Sequence, residues 1–127
     1  MAKIKIAQDP TFKADVQIPR VGSDTVTVGF EFRYLDRVAL AEMFDRWNAA
    51  RDAWADKAKE EGISWKEATA AEIQLQAEQL KDILVGWDLD DAFSEDAILD
   101  LVRTCTSAPR AVIEVFQNAY SPARLGN

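Results

Sequence analysis

Histidine is absent from this 127-residue chain, and cysteine occurs once, as Cys105. The side chain that most often serves as a general base near neutral pH, and as a metal ligand, is therefore missing. One thiol can form neither an intramolecular disulfide nor a zinc-binding cluster. Long apolar runs are missing too, since no stretch approaches the roughly 18 residues that a membrane-spanning helix needs. The opening Met1-Ala2-Lys3-Ile4-Lys5-Ile6 has no apolar segment of the kind a secretory leader requires. A reducing cytoplasm is the expected compartment. Basic charge is in short supply: 15 Lys and Arg stand against 22 Asp and Glu, a net charge of -7. Such a field repels phosphate backbones and anionic lipid. Arg103, Arg110 and Arg124 are scattered among acids rather than gathered in a patch, so neither nucleic acid nor membrane is expected as a partner.

What is present is ordinary globular material, 48% hydrophobic and 29% charged, too apolar for a disordered chain. The length fits one domain over 1–127, with a hairpin region at 1–34, a helical region at 36–122 and a short tail at 123–127. In the hairpin region Phe12, Ala14, Val16 and Ile18 alternate with polar residues, and so do Val26, Val28, Phe30 and Phe32. A period of two marks half-buried strands, and Pro19-Arg20-Val21-Gly22-Ser23-Asp24 between them has turn chemistry. Lys3 to Ile6 is expected to extend or join this hairpin. Its apolar face needs cover from a helix or from strands of another copy, because two strands alone are marginal in water.

From Asp36, an N-cap, Leu40, Phe44, Trp47 and Trp54 recur at helical spacing. The half of this helix from Arg51 to Glu61 is charged and alanine-rich and is expected to project or to pack only lightly. Gly62-Ile63 breaks it. Ser64-Trp65-Lys66-Glu67 is a capping box, in which Ser64 and Glu67 each satisfy an orphaned amide. The next helix is expected over 65–85, with Ile73, Ala77, Leu80 and Leu84 on one stripe and Ile83 beside it, ended by Gly86 in the left-handed conformation with Trp87 in the turn. Ser94 caps a third helix carrying Ile98, Leu101, Val102 and Cys105. Ser107 and Pro109 start a last one with Val112, Val115, Phe116, Ala119 and Tyr120. The fold class expected is α+β, mainly α: an N-terminal antiparallel β-hairpin followed by a bundle of four or five helices.

Asp88, Asp90, Asp91, Glu95 and Asp96 form the one acidic cluster in which carboxylates could converge. It lacks the central glycine of a calcium loop. The expected role of these acids is to solvate a turn and favour a helix N-terminus through its dipole. Cys105 lies on an apolar stripe and is expected to be buried and inert. No catalytic, metal or cofactor site is expected, and the chain is not expected to be an enzyme. Four tryptophans are many for this length. Trp47 and Trp87 have core neighbours. Trp54 and Trp65 lie in polar surroundings, where two readings stay open: they face a partner, or they line a small second cluster between their helices.

The arrangement resembles the tail assembly chaperones of long-tailed, lambda-like bacteriophages. The likeness is carried by Pro10-Thr11-Phe12-Lys13-Ala14-Asp15-Val16, by Phe30-Glu31-Phe32-Arg33-Tyr34 with Asp36-Arg37, by Ile83-Leu84-Val85-Gly86-Trp87-Asp88 with Phe93-Ser94, and by Ala119-Tyr120. Residues 50–76 carry little of it. The resemblance implies a non-enzymatic holdase in the host bacterial cytoplasm. Such a protein coats the coiled-coil-forming tape measure protein and promotes polymerisation of the major tail tube protein around it. It is then absent from the mature virion. The resemblance also implies a second, longer product made by ribosomal frameshifting, whose extra domain contacts the tube protein. Trp54 and Trp65, with the open hairpin edge, are the expected client surface, and self-association is a further expectation. Two other readings stand beside this one: an acidic nucleic-acid mimic that blocks a host protein, and a structural tail component retained in the virion. Mimicry predicts ordered double rows of carboxylates, whereas Asp52, Asp56, Lys57, Lys59 and Glu60 interleave both signs.

Overall fold

A computed structural model describes residues 5–60 and 62–121. Among these the chain is α+β and mainly helical, in the order β1 (Thr11–Arg20), β2 (Ser23–Arg33), α1 (Arg37–Ala58), α2 (Trp65–Ile83), β3 (Leu84–Trp87), α3 (Glu95–Thr104) and α4 (Ala108–Ala119). β1 and β2 form the expected antiparallel hairpin, in unbroken register from Thr11 opposite Arg33 to Ile18 opposite Val26. Gly22 turns the chain with φ 72°, which a side chain would resist. Alternation sends Val16, Ile18, Val28, Phe30 and Phe32 into the core, and Lys13, Asp15 and Gln17 to solvent. Lys5 and Ile6 do not extend the hairpin, and Ile6 is fully exposed. Lys3 and Ile4 lie outside the described residues.

The segment after α2 corrects the sequence reading. The helix stops at Ile83, and Leu84, at φ -103° and ψ 143°, is already extended. Leu84–Trp87 then runs antiparallel to β2 as a third strand, with Phe30 opposite Trp87 and Glu31 opposite Gly86. Gly86 is therefore a strand residue, and the glycines with positive φ are Gly22 and Gly62. Strand pairing wins here because it satisfies the outer backbone groups of β2 while burying Leu84 completely. The Asp88 amide continues the ladder by donating to the Gly29 carbonyl at 2.9 Å.

Helices cover the inner face of the sheet. α2 brings Ala77, Leu80 and Ile83 to the core, α4 brings Val112 and Phe116 against β1, and α3 packs Ile98, Leu101 and Val102 along α2. Aromatic rings tie strands to helices: Phe12 lies 5.3 Å from Phe32, Phe32 lies 5.8 Å from Phe116, and Phe116 lies 5.2 Å from Tyr120. Ser94 accepts from the Ala97 amide at 3.0 Å and Asp36 from the Ala39 amide at 2.9 Å, as their spacing indicates. The capping box forms by half. Ser64 Oγ accepts from the Glu67 amide at 3.1 Å, but the Glu67 carboxylate takes a bond from the Ser64 hydroxyl rather than from its amide. Ser107 makes no side-chain cap, because its backbone is already helical in conformation, and Pro109 fills the first turn of α4.

Candidate functional site

α1 is held at one end and free at the other. Met43 and Trp47 are its buried residues, and the Trp47 indole Nε1–H donates to Asp82 Oδ2 on α2 at 2.7 Å. Arg46 stands 3.8 Å from the same oxygen. Beyond Trp47 small and charged residues follow, and from Asn48 to Ala58 every residue but Trp54 is exposed. With alanines at positions 50 and 53, α1 has too little side-chain volume to close on α2. A groove of about 380 Å³ remains between the helices, almost wholly apolar, floored by Trp47 and Leu75 and edged by Trp54, Lys57 and Glu78.

Trp65 occupies a different place. As the first residue of α2 after the Ser64 cap it projects from the helix with 90% of its surface exposed. It stands at a wider groove of about 630 Å³ between α2 and α3, where Ile73 and Leu99 give an apolar floor and Lys66 and Arg103 a basic rim. The structure therefore does not bring Trp54 and Trp65 together. They line separate grooves, with Gln74 of α2 facing both. Leu75 and Leu99 have no signal of this kind in the sequence, and Ile73 reads there as part of the buried stripe of α2, because which faces of α2 stay uncovered depends on how far α1 and α3 stand away from it.

The acids around Trp87 are turn and cap residues. Trp87 Nε1–H donates to the Asp91 carbonyl at 2.7 Å, and its ring meets Phe93 edge-on at 5.0 Å, so loop 88–94 folds back over the indole. Glu95 and Asp96 sit in the first turn of α3. Among the described residues no group of His, Cys, Asp or Glu is arranged to hold a metal ion. Trp47 is buried as its neighbours indicate, while Trp87 is half-buried against Phe30. Cys105 is half-buried at the end of α3, beside the hairpin tip, rather than fully enclosed.

Two groups shift their protonation, and both move away from neutral pH. Hydrogen bonding to Glu78 at 3.1 Å raises the Lys81 ammonium above its usual value, against some desolvation. Burial raises the Tyr120 phenol, partly countered by the Leu35 amide that donates to it at 3.0 Å.

The described residues thus define a mainly helical α+β protein with apolar grooves between its helices and a more polar cleft of about 450 Å³ on the outer face of the sheet, lined by Lys13, Asp15, Glu31 and Asp88. No helix among them is long and apolar enough to cross a membrane. The family model for phage tail assembly chaperones matches residues 1–127, and the chain belongs to that family. Its role is that of a chaperone in tail assembly. No curated protein and no solved structure matches it.

Proposed function

We propose that this chaperone binds and solubilises the tape measure protein in the host cytoplasm, laying amphipathic helical segments of that client into the grooves on either side of α2. It thereby promotes polymerisation of the major tail tube protein around the client, and leaves before the tail is complete. The observation that carries this reading is the α1–α2 groove. It is open, about 380 Å³ in volume, apolar along its walls, and edged by Trp54, in the half of α1 that lies beyond the buried Met43 and Trp47. A helix presenting residues at i, i+3, i+4 and i+7 fits such a groove, and tryptophan is the side chain most often found as an anchor. Trp65 serves the second groove in the same way.

Co-expression of the tape measure protein with wild type, Trp54→Ala, Trp65→Ala and the double variant tests the assignment. Both substitutions fall outside the buried core, so the variants are expected to fold, and circular dichroism checks that they do. Each single variant should leave less soluble client than wild type, and the double variant least. A folded double variant that keeps the client as soluble as wild type does would refute these grooves as the client site. Mass spectrometry of purified virions separates this reading from that of a retained tail component, which would be present there.

A further inference from the structure

Among the described residues the outer edge of β1 has no strand beside it, since the sheet order is β1-β2-β3. Its hydrogen-bonding parity is fixed by the hairpin. The Tyr34 amide donates to the Pro10 carbonyl, so residues 10 and 34 form a bonded pair, and alternation turns the backbone groups of Phe12, Ala14, Val16 and Ile18 toward β2. The amides and carbonyls of Thr11, Lys13, Asp15 and Gln17 then point away from the sheet. Apart from the charges of Lys13 and Asp15, the usual protections of an edge are missing along this stretch. No bulge interrupts the register from Thr11 to Ile18, the prolines Pro10 and Pro19 flank the stretch rather than fall within it, and the charged side chains stand on the solvent face rather than pointing inward.

From this we infer that β1 pairs antiparallel with β1 of a second copy, joining two three-stranded sheets across a two-fold axis at Ala14. Charge selects the register. Only outward-pointing residues can form bonded pairs, so allowed registers differ by steps that keep odd positions opposite odd positions. With the axis at Ala14, Lys13 lies opposite Asp15 of the second copy and Asp15 opposite its Lys13, while Thr11 faces Gln17. Moving the axis one residue either way puts Lys13 opposite Lys13 or Asp15 opposite Asp15. Like charges directly opposite are destabilising, so both neighbouring registers are disfavoured. Within the described residues neither Lys13 nor Asp15 has an ion-pair partner in its own chain. The inner face stays continuous, with Phe12 beside Val16 of the second copy and Ala14 beside Ala14.

The isologous geometry makes a charge-swap test decisive, because each substitution acts twice. Sedimentation velocity over a range of concentrations should show wild type as a dimer. Lys13→Asp and Asp15→Lys should each weaken association by about tenfold or more, since each turns two attractive pairs into repulsive ones. The double variant should recover the dimer. Thermal unfolding identifies any single variant that has lost its fold. Hydrogen exchange gives a readout independent of the variants: amides of Lys13, Asp15 and Gln17 in wild type should be protected at high concentration and exposed on dilution. A wild type that stays monomeric overturns the inference. So does a dimer indifferent to both single reversals, or protection of these amides only on adding a tape measure segment.

Discussion

Tyr120 joins the last helix to the start of the first through a single oxygen. Its hydroxyl accepts from the Leu35 amide at 3.0 Å and lies 3.5 Å from the Arg33 carbonyl, while its ring stacks on Tyr34 at 5.7 Å. Tyr120→Phe keeps the ring and leaves the Leu35 amide without its partner, which should cost about 1 kcal/mol at neutral pH. The substitution should also change the alkaline limb of stability. Burial raises the phenol above 10.0, so the folded chain holds this proton more tightly than the unfolded one. Stability from this source is full below about pH 10 and is lost as the pH rises through the higher folded value. Lys81, raised above 10.5, acts in the same direction. Urea unfolding between neutral and strongly alkaline pH should therefore show a shallower fall for Tyr120→Phe than for wild type, with the lysine part remaining. At the other end of α1, Asp82→Ala removes the acceptor of the Trp47 indole and should cost about 1–2 kcal/mol by the same measurement. Because Trp47 floors the α1–α2 groove, loss of that bond should also weaken client binding.

The elements most legible in the sequence are those whose signal is local. The hairpin follows from two alternating runs around a turn, α3 from Ser94 and its apolar stripe, and α4 from Pro109 and the spacing of Val112 and Phe116. Local reading fails at Leu84-Val85-Gly86-Trp87. Four residues are too few for a period of two to declare itself, and the preceding helical stripe of Ala77, Leu80 and Leu84 runs directly into them. Only β2, more than fifty residues earlier in the chain, makes this segment a strand. Such dependence has a measurable consequence. Gly86→Pro, in β3, removes an amide and fixes φ in a strand that meets β2, and should destabilise the fold by about 3 kcal/mol. If the segment were instead a turn ending α2, the same change would be mild. The turn position that does need glycine is Gly22, where alanine meets no neighbouring atom but must still adopt φ near 72°. Gly22→Ala should lower stability by about 1 kcal/mol in urea unfolding, through strain in the hairpin turn alone.

Across the whole molecule, the proposed function divides its work between the charge and the grooves. In that proposal the net charge of -7 keeps the body dispersed, while the apolar walls beside α2 take up the apolar face of a helical client. Composition made the charge legible, and the capping box located the start of α2. The grooves were not legible, because they are spaces between helices, and their width depends on where α1 and α3 come to rest against α2. This division predicts a thermodynamic signature that separates the proposed function from nucleic-acid mimicry. Docking of a tape measure helix into apolar grooves should give a negative heat-capacity change, and its affinity should fall little as salt is raised. A mimic that used its acids to engage a basic groove would lose affinity steeply with salt. Calorimetric titration of a client segment at several temperatures and two ionic strengths reads both quantities together. Trp54→Ala should reduce the heat-capacity change along with the affinity, because the indole is part of the surface that the client covers. A titration with negligible heat-capacity change and a strong salt dependence would place the contact on the charged surface and refute the groove mechanism.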